Sequence, residues 1–200
     1  MSLCGARPFK SRQEIQQLLA GMTGTYRLRD RALVVLGVKT GLRISELLSL
    51  KIGDVLGEGD RFLNEVYVRR SAVKGKRAGR RLPLHPTAKF ALGRWLVEQR
   101  KKGAVLERGH FLFVSRKGRG WRPISRRAAL QVMERAAAGI GLDEGISTHS
   151  MRKWVAREVY QRSGNCLVRT GAVLGHRNIS TTWRYCASLT TGAAGLLAAI

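Results

Sequence analysis

The sequence predicts a mainly helical domain with a small antiparallel β-sheet inserted near its middle. Several segments of helical periodicity begin at a capping residue and end near glycine, and only a few short segments favour strands. The hydrophobic content, 44% of 200 residues, is that of a globular protein. The sequence contains no internal repeat and no long linker. We therefore expect a tail over residues 1–10, one domain over residues 11–186 and a short apolar tail over residues 187–200.

The N-terminal third of the domain is predicted to be helical. Ser11 and Glu14 have the spacing of a capping box, and the apolar residues that follow share one face, which predicts a helix ending near Gly21. A second helix is expected from about Tyr26 to Lys39, where an apolar stretch is followed by the helix-breaking pair Thr40-Gly41. A third, short helix is expected to begin near Arg43.

The strands are predicted from β-branched and aromatic residues. The segment from Phe62 to Arg69 favours a strand, and Arg80 to Leu84 is its expected antiparallel partner. Between them lies a basic turn that contains glycine, which predicts a hairpin. The apolar run from Phe111 to Val114 predicts a further short strand.

The C-terminal half is again predicted to be helical. Pro86 suits the first position of a helix that runs to about Lys102. Polar capping residues and helical periodicity then predict four more helices. They are expected from Ser125 to about Ala138, from Thr148 to Arg162, from Leu167 to Leu174, and from Ser180 or Thr181 through Tyr185.

The net charge points to a polyanionic partner. The chain has 37 Lys and Arg against 13 Asp and Glu, a formal charge of +24. Such a charge repels itself, and nucleic acid would relieve the repulsion. An anionic membrane is the second candidate, but the longest apolar runs, Ala32–Val38 and Gly192–Ile200, are too short to span a bilayer. We expect no membrane association.

The sequence predicts neither a metal site nor a cofactor. It contains no glycine-rich phosphate loop ending in Lys-Ser or Lys-Thr, no HExxH motif and no cluster of carboxylates that would hold Mg²⁺. Its three cysteines are widely spaced and show no metal-ligand pattern. Three unpaired cysteines suit a reducing compartment, so we expect a cytoplasmic protein.

Four groups of residues could carry chemistry. Arg43 and Glu46 share a helix face, either as an ordinary surface ion pair or as an arginine oriented for a ligand. His149 and Arg152 lie at a predicted helix start, where they could form an anion site or simply face solvent. Seven of the thirteen residues from Arg69 to Arg81 are basic. This hairpin could simply expose its charges to solvent, or it could contact the phosphates of a nucleic acid.

The fourth group is a histidine and a tyrosine nine residues apart, His176 and Tyr185. A phenol, with a pKa of about 10, is a poor nucleophile unless cations surround it. By itself, a tyrosine near a C-terminus is more often an ordinary half-buried aromatic residue. The interpretation of Tyr185 therefore depends on whether the rest of the chain supplies those cations.

These motifs together resemble the catalytic domain of the tyrosine recombinases, the phage-integrase family. The resemblance comprises Thr40-Gly41-Leu42-Arg43 with Glu46, the hairpin lysine, His149-x-x-Arg152, and Leu174-Gly175-His176 with Tyr185 nine residues later. It covers about residues 11–186. It implies the fold of these DNA breaking-rejoining enzymes. The chain would be either a short member, similar to those that invert fimbrial promoter segments, or a catalytic domain cut from a longer integrase.

The resemblance implies a role for each matching residue. Arg43 and Arg152 would bind the scissile phosphate, and Tyr185 would attack it to give a 3′-phosphotyrosyl link without metal or ATP. Lys74 would protonate the leaving 5′-oxygen, His149 would assist proton transfer, and His176 would donate a hydrogen bond to the phosphate. Glu46 would be a structural acid behind the first arginine. Residues expected to contact DNA are Arg69, Arg70, Lys76, Arg77, Arg80, Arg81, Lys153 and Arg177.

The chain departs from the family pattern in three ways. Met151 and Lys153 flank Arg152 where many members have Leu and His, so a second histidine is missing. Lys76 competes with Lys74 for the hairpin role; we prefer Lys74 because it directly follows the strand. Only about ten residues precede the first predicted helix, so we expect the family's usual N-terminal helical domain to be missing. Our hypothesis is that the high positive charge offsets the lost DNA contacts.

The implied partners are double-stranded recombination sites and, on synapsed DNA, a homo-tetramer of protomers that are monomeric when free. The tail over residues 187–200 would dock on a neighbouring protomer, or else pack on its own domain or fray. The alternatives are a type IB topoisomerase-like activity and a catalytically weak DNA-binding relative. Bacterial or phage origin is implied, whereas the target DNA, the direction of recombination and any need for an accessory DNA-bending protein stay open.

Overall fold

The fold is mainly helical with one small sheet, as predicted. The computed structural model describes residues 6–69, 79–117, 119–142 and 145–186. In this part of the chain it has eight α-helices and one two-stranded antiparallel sheet. The helices are α1 (Arg12–Ala20), α2 (Arg27–Thr40), α3 (Ile44–Ser49), α4 (Pro86–Lys101), α5 (Arg126–Ala138), α6 (Thr148–Arg162), α7 (Leu167–Leu174) and α8 (Ile179–Cys186).

Helix α2 is the centre of the hydrophobic core. Its residues from Ala32 to Val38 are all buried, and it packs against α4, α6 and α3. A helix that is apolar on all sides can be stable only when neighbours surround it. Because α3 follows directly after the end of α2, the central helix fixes the position of the segment that carries Arg43.

Serine side chains cap three helices at the positions that the sequence predicts or adjacent to them. Oγ of Ser11 accepts a hydrogen bond from the backbone N–H of Glu14 at 3.1 Å, and Oγ of Ser125 accepts one from Ala128 at 3.0 Å. Ser147, one residue before the predicted start of α6, accepts from the N–H of His149 at 3.2 Å. Each cap satisfies a backbone donor that has no partner within its helix.

The sheet pairs β1 (Glu65–Val68) with β2 (Arg80–Pro83), and both strands are shorter than predicted. The register places Val68 opposite Arg80, so the strands meet at the base of the hairpin. In β2, Arg80 and Leu82 are partly buried whereas Arg81 and Pro83 are exposed. The predicted hairpin residues Arg70, Lys74, Lys76 and Arg77 lie outside the described residues.

The predicted strand from Phe111 to Val114 is wrong. Phe111 forms an isolated bridge with Lys51, and Val114 forms one with Pro123. Leu112 and Phe113, which lie between the two bridges, are almost completely buried. The apolar run therefore reflects core packing at a turn, and not a strand paired along its length.

The last three helices pack against one another and carry the candidate tyrosine. Helix α6 contacts both α7 and α8, and α7 contacts α8. Helix α8 begins at Ile179, one or two residues before the predicted start. The expected docking tail over residues 187–200 lies outside the described part of the chain. Among the helices described, none is long and apolar enough to cross a membrane.

Candidate active site

Arg152 is the buried centre of the candidate site. Its side chain is 1% exposed, although it carries a charge. Nη1 donates a hydrogen bond to the carbonyl oxygen of Gly41 at 2.5 Å, and Nη2 donates one to that of Leu174 at 2.8 Å. These carbonyls lie at the C-terminal ends of α2 and α7, where the helix dipoles are negative. The two helix ends therefore hold the guanidinium group and offset part of its desolvation.

Two glycines give the helix ends this geometry. Gly41 ends α2 with φ 64°, and Gly175 ends α7 with φ 66°. Glycine adopts this left-handed conformation without the steric cost of a Cβ atom. At Gly41 a Cβ atom would also press against Val155 and Leu174. The Thr-Gly and Leu-Gly pairs of the two motifs thus shape the turns that surround Arg152.

Arg43 is held at the start of α3 by Glu46. The backbone N–H of Arg43 donates a hydrogen bond to Oε2 of Glu46 at 2.8 Å, and its Nη1 lies 3.2 Å from Oε1. Glu46 is completely buried, whereas the Arg43 side chain is 30% exposed. The pair is therefore not the ordinary surface ion pair that the spacing alone also allows. Glu46 orients an arginine whose guanidinium group is still accessible.

Arg80 joins the same cluster from strand β2. Its Nη2 lies 3.2 Å from Oε2 of Glu46, and its Nη1 donates a hydrogen bond to the carbonyl oxygen of Val173 at 3.2 Å. Burial is the largest cause that lowers the pKa of Arg80, and the nearby Arg43 adds to it. The sequence indicated Arg80 only as one DNA contact among several in a basic run, and its place in this cluster was not predicted.

The cluster is strongly cationic. Arg43, Arg80 and Arg152 surround one carboxylate, that of Glu46. Burial and the neighbouring Arg43 lower the pKa of Arg152 to about 10, so it remains protonated at neutral pH. The Nε atoms of Arg80 and Arg152 are buried and have no hydrogen-bond partner among the described residues. This arrangement favours binding of an anion.

His176 and Tyr185 come together beside these arginines. Their ring centroids lie 5.2 Å apart, and the guanidinium carbon of Arg152 lies 6.0 Å from the Tyr185 ring centroid. Nδ1 of His176 lies 3.1 Å from Oγ1 of the buried Thr182, whereas Nε2 has no hydrogen-bond partner in the part of the chain that the structure describes. Tyr185 is thus half-buried, with a cation beside its ring.

The His176 ring is neutral at physiological pH. Burial, followed by the positive charges of Arg152, Arg43 and Arg80, lowers the pKa of His176 to about 4. A neutral imidazole with Nδ1 held by Thr182 has its other nitrogen available for a ligand. Thr182 is a site residue that the sequence analysis missed; its place three residues before Tyr185, on one face of α8, was the available signal.

His149 lies at the exposed edge of the site. It occupies the first turn of α6, three residues before Arg152. Desolvation by the surrounding protein, with the charges of Arg152, Lys153 and Arg43, lowers the pKa of His149. Arg152 and Arg43 are among the causes, so His149 lies within electrostatic reach of the cluster. An exposed, neutral histidine is suited to exchanging protons with solvent.

The other predicted DNA contacts lie in different surroundings. Nη2 of Arg69 is 2.7 Å from Oδ1 of Asp54, so this guanidinium group already has an acidic partner. Arg81 is largely exposed and lies 3.8 Å from Glu65. Lys153 is half-buried beside Arg152, and Arg177 is exposed at the turn after α7. Within the described residues, no three His, Cys, Asp or Glu side chains are grouped as metal ligands.

Sequence comparison identifies relatives of one kind. The model of the phage integrase family matches residues 9–191. Tyrosine recombinase XerD from Corynebacterium glutamicum is 34% identical over 160 residues, which cover 79% of this chain and 48% of XerD. The probable integrase/recombinase YoeC from Bacillus subtilis is 30% identical over 179 residues, which cover 90% of this chain and 88% of YoeC. The chain thus spans about half the length of that XerD and most of YoeC.

Solved structures share the fold. The site-specific recombinase XerH, bound to a palindromic difH substrate in a post-cleavage complex, superposes with a TM-score of 0.72 and 23% identity. The match covers all of this chain and 54% of XerH. A λ integrase dimer bound to a COC′ core site gives a TM-score of 0.64 at 18% identity, covering 92% of this chain and 49% of the integrase chain.

Proposed function

Because the chain belongs to the phage integrase family of tyrosine recombinases, we propose that it is a site-specific DNA recombinase acting through a 3′-phosphotyrosyl intermediate. The observation that carries the proposal is the position of Tyr185. It lies beside His176 and Arg152, next to a buried carboxylate that pairs with two further arginines, Arg43 and Arg80. Such a cluster provides what a phenol nucleophile needs, namely cations that stabilise negative charge on both the nucleophile and the phosphate.

The charge of the cluster suits a phosphodiester that becomes more negative as it reacts. Three guanidinium groups against the Glu46 carboxylate leave about two net positive charges. A phosphodiester carries one negative charge, and the pentacovalent transition state places more on its non-bridging oxygens. Preorganised arginines in a buried setting stabilise that additional charge without reorganisation. Arg43 and Arg152 are the proposed ligands of these oxygens.

The proposed reaction exchanges one phosphodiester for another. Oη of Tyr185 attacks phosphorus, the bond between phosphorus and the 5′-oxygen breaks, and a 3′-phosphotyrosyl link forms. Lys74, which lies outside the described residues, protonates the leaving 5′-oxygen, and His149 assists removal of the phenolic proton. His176 forms a hydrogen bond with the phosphate. Because the bond energy is kept in the phosphotyrosyl link, the proposed reaction needs no ATP. Because arginines supply the positive charge, it includes no metal ion.

The proposed substrate is a double-stranded recombination site, and the proposed active assembly is a homo-tetramer on two synapsed sites. Attack by a 5′-hydroxyl from the second duplex reverses the first step and completes the exchange of strands. A type IB topoisomerase-like enzyme would use the same chemistry, but it would relax any supercoiled plasmid as a monomer. Dependence on two copies of a site and on protein concentration therefore distinguishes the two activities.

Trapping of a covalent protein–DNA adduct tests the proposal. A pool of nicked suicide duplexes with a randomised core, which release the 5′-hydroxyl fragment after cleavage, would be incubated with the protein. We expect wild type to give an adduct that resists denaturant, and Tyr185→Phe to give none because it lacks the nucleophilic oxygen. The matched control is Tyr67→Phe, since Tyr67 is an exposed tyrosine on β1 outside the cluster.

Peptide mass spectrometry of the wild-type adduct should place the nucleotide on Tyr185. An adduct that persists in Tyr185→Phe, or one attached to another residue, would contradict the proposal. The absence of any wild-type adduct across the pool would overturn the enzymatic claim and favour a DNA-binding relative. Sequencing of the trapped DNA would also reveal the preferred site.

A further inference from the structure

Arg80 is more closely tied to the candidate site than a DNA contact on the hairpin surface would be. Its side chain is 19% exposed, and it reaches two different elements. Nη2 lies 3.2 Å from Oε2 of Glu46 in α3, and Nη1 lies 3.2 Å from the carbonyl oxygen of Val173 in α7. An arginine with both terminal nitrogens engaged in this way has little freedom to follow a DNA backbone.

The position of Arg80 at the base of the hairpin explains why these contacts matter. It is the first residue of β2 and pairs with Val68 at the base of the hairpin. The proposed general acid, Lys74, lies between the two strands in the sequence. Arg80 is therefore the residue through which the hairpin strand is attached both to the start of α3, which carries Arg43, and to the end of α7, which precedes His176.

A second observation at Gly175 supports the same contact. A Cβ atom at this position would overlap Nη1 of Arg80, so the side chain packs directly on the glycine backbone. Gly175 ends α7 with φ 66° and is followed by His176. The guanidinium group thus lies against the turn that positions the histidine, in addition to its hydrogen bond with Val173.

Glu46 depends on Arg80 for one of its bonds. Oε1 of Glu46 pairs with Nη1 of Arg43, while Oε2 accepts from the backbone N–H of Arg43 and from Nη2 of Arg80. A completely buried carboxylate that loses a charged partner is strongly destabilised, and it is expected to shift towards a new partner or towards water. Any such movement is passed directly to Arg43, since its backbone N–H and its guanidinium group both bond to the same carboxylate.

We propose that Arg80 is a positioning residue that fixes the Glu46 carboxylate and the C-terminal end of α7, and so aligns Arg43 and His176 for strand cleavage. The inference rests on the proposed function. Arg80 does not itself have to touch the DNA. Its role is to make one rigid unit of three elements that are distant in sequence, because misplacement of a catalytic group by about 1 Å can cost about 100-fold in rate.

The charge of Arg80 provides a readout that a purely structural role would not change. The groups that act on His176 are Arg152 from α6, Arg43 before α3 and Arg80 from β2, while Thr182 and Tyr185 face it from α8. After burial, these three positive charges lower the pKa of His176. Removal of the Arg80 charge should therefore raise the pKa of His176, whereas a lysine at position 80 should largely maintain it.

The test compares Arg80→Met, Arg80→Lys and the matched control Arg162→Met. Arg162 carries the same charge, lies at the end of α6 outside the predicted DNA contacts and has 67% of its side chain exposed. Single-turnover cleavage of a nicked suicide duplex would be measured at saturating protein. We expect a fall of about 100-fold for Arg80→Met, about 10-fold for Arg80→Lys, and less than threefold for Arg162→Met.

The pKa of His176 in the free protein, measured by NMR titration and assigned with His176→Asn, forms the second arm. It should rise in Arg80→Met and stay close to wild type in Arg80→Lys and Arg162→Met. This measurement needs no DNA, so it is informative even if wild type forms no adduct and the proposed function fails. Where wild type does cleave, an Arg80→Met rate equal to that of Arg162→Met would overturn the inference.

Thermal unfolding of each variant separates positioning from folding. Arg80→Lys preserves size and charge, so it should remain folded and still cleave slowly. A folded Arg80→Lys with the wild-type rate, or an Arg80→Met with an unchanged pKa of His176, would show that Arg80 acts only on stability.

Discussion

At the scale of single residues, the site depends on how a buried charge is supported. Arg152 is almost completely buried, and it is not paired directly with a carboxylate; it donates to two backbone carbonyls at helix C-termini. Partial negative charge at helix ends stabilises a cation less than a carboxylate would, but it leaves the cation free to attract an anion. A direct ion pair would have neutralised the positive charge that the proposed reaction requires.

The motif residues could be predicted from sequence because each pair is local. Arg43 with Glu46 and His149 with Arg152 are three residues apart at a helix start, and helix geometry brings such residues to one face. Arg80 could not be singled out, since it is one of seven basic residues in a run of thirteen. Strand alternation was the available signal: Arg80 shares the inward face of β2 with Leu82, whereas Arg81 does not.

The low pKa of His176 leads to a prediction about stability. Its pKa in the folded protein, about 4, lies below the ordinary value near 6.5. The unfolded chain therefore binds more protons between these values, and the free energy of unfolding should fall as the pH is lowered from 6.5 towards 4. His176→Asn should lose stability less steeply over this range, as measured by urea unfolding at pH 7 and pH 5.

The control for this prediction is His85→Asn. His85 is exposed and its Nδ1 caps α4 by accepting from the N–H of Thr87, a role that asparagine can also fill. We expect His85→Asn to change the pH dependence less than His176→Asn does. If the free energy of unfolding depended on pH in the same way in wild type and His176→Asn, the His176 ring would take up no proton when the protein unfolds, which would contradict the prediction.

At the scale of elements, helices could be predicted better than strands. Capping serines and glycine stops are local signals, and α1, α5 and α6 begin within a residue of the predicted positions. The run from Phe111 to Val114 was misassigned because four apolar residues need burial and not necessarily a pairing partner. Whether such a run pairs depends on distant segments, here Lys51 and Pro123, and one sequence does not reveal these.

The ends of helices give a prediction at this scale, from two glycines with the same backbone conformation. Gly175 ends α7 with φ 66°, and Gly164 follows α6 with φ 69°. Alanine in this conformation costs about 1–2 kcal/mol at either position. A Cβ atom at position 164 would have nothing within 4 Å, whereas one at position 175 would overlap the guanidinium group of Arg80.

Gly175→Ala should therefore lose more stability than Gly164→Ala, because it also takes a charged partner from the buried Glu46 carboxylate. Only Gly175→Ala should cleave the suicide duplex more slowly, by at least about 10-fold, since it displaces Arg80 from Val173 and Glu46. Chemical denaturation and single-turnover cleavage at one temperature would measure both effects. Equal cleavage rates in the two variants would show that the position of Arg80 at this turn is unimportant.

At the scale of the whole molecule, the net charge is far larger than the site alone requires. The cluster of Arg43, Arg80, Arg152 and Glu46 accounts for about two of the 24 net positive charges. Most of the excess is therefore available for other phosphates along a duplex. The composition revealed this excess directly, whereas its distribution over the surface depends on the fold. Arg69, for example, is engaged with Asp54, and Arg177 is exposed.

The salt dependence of DNA binding tests how the excess charge is used. Each phosphate that a protein neutralises contributes about −0.9 to the slope of log K against log salt concentration. If the exposed cations follow the duplex, at least about six phosphates should be neutralised, which gives a slope of about −5 or steeper. Arg177→Gln should make this slope shallower by about 1 if Arg177, at the turn beside the site, contacts a phosphate.

Arg162→Gln is the control, because Arg162 lies ten residues after Arg152, about 15 Å along α6, and pairs with Glu158. It should leave the slope unchanged. A wild-type slope typical of only two or three phosphates would mean that binding is confined to the scissile phosphate and its neighbours. The remaining positive charge would then have to be explained by something other than contact with the same duplex, such as the second duplex of a synapsed pair.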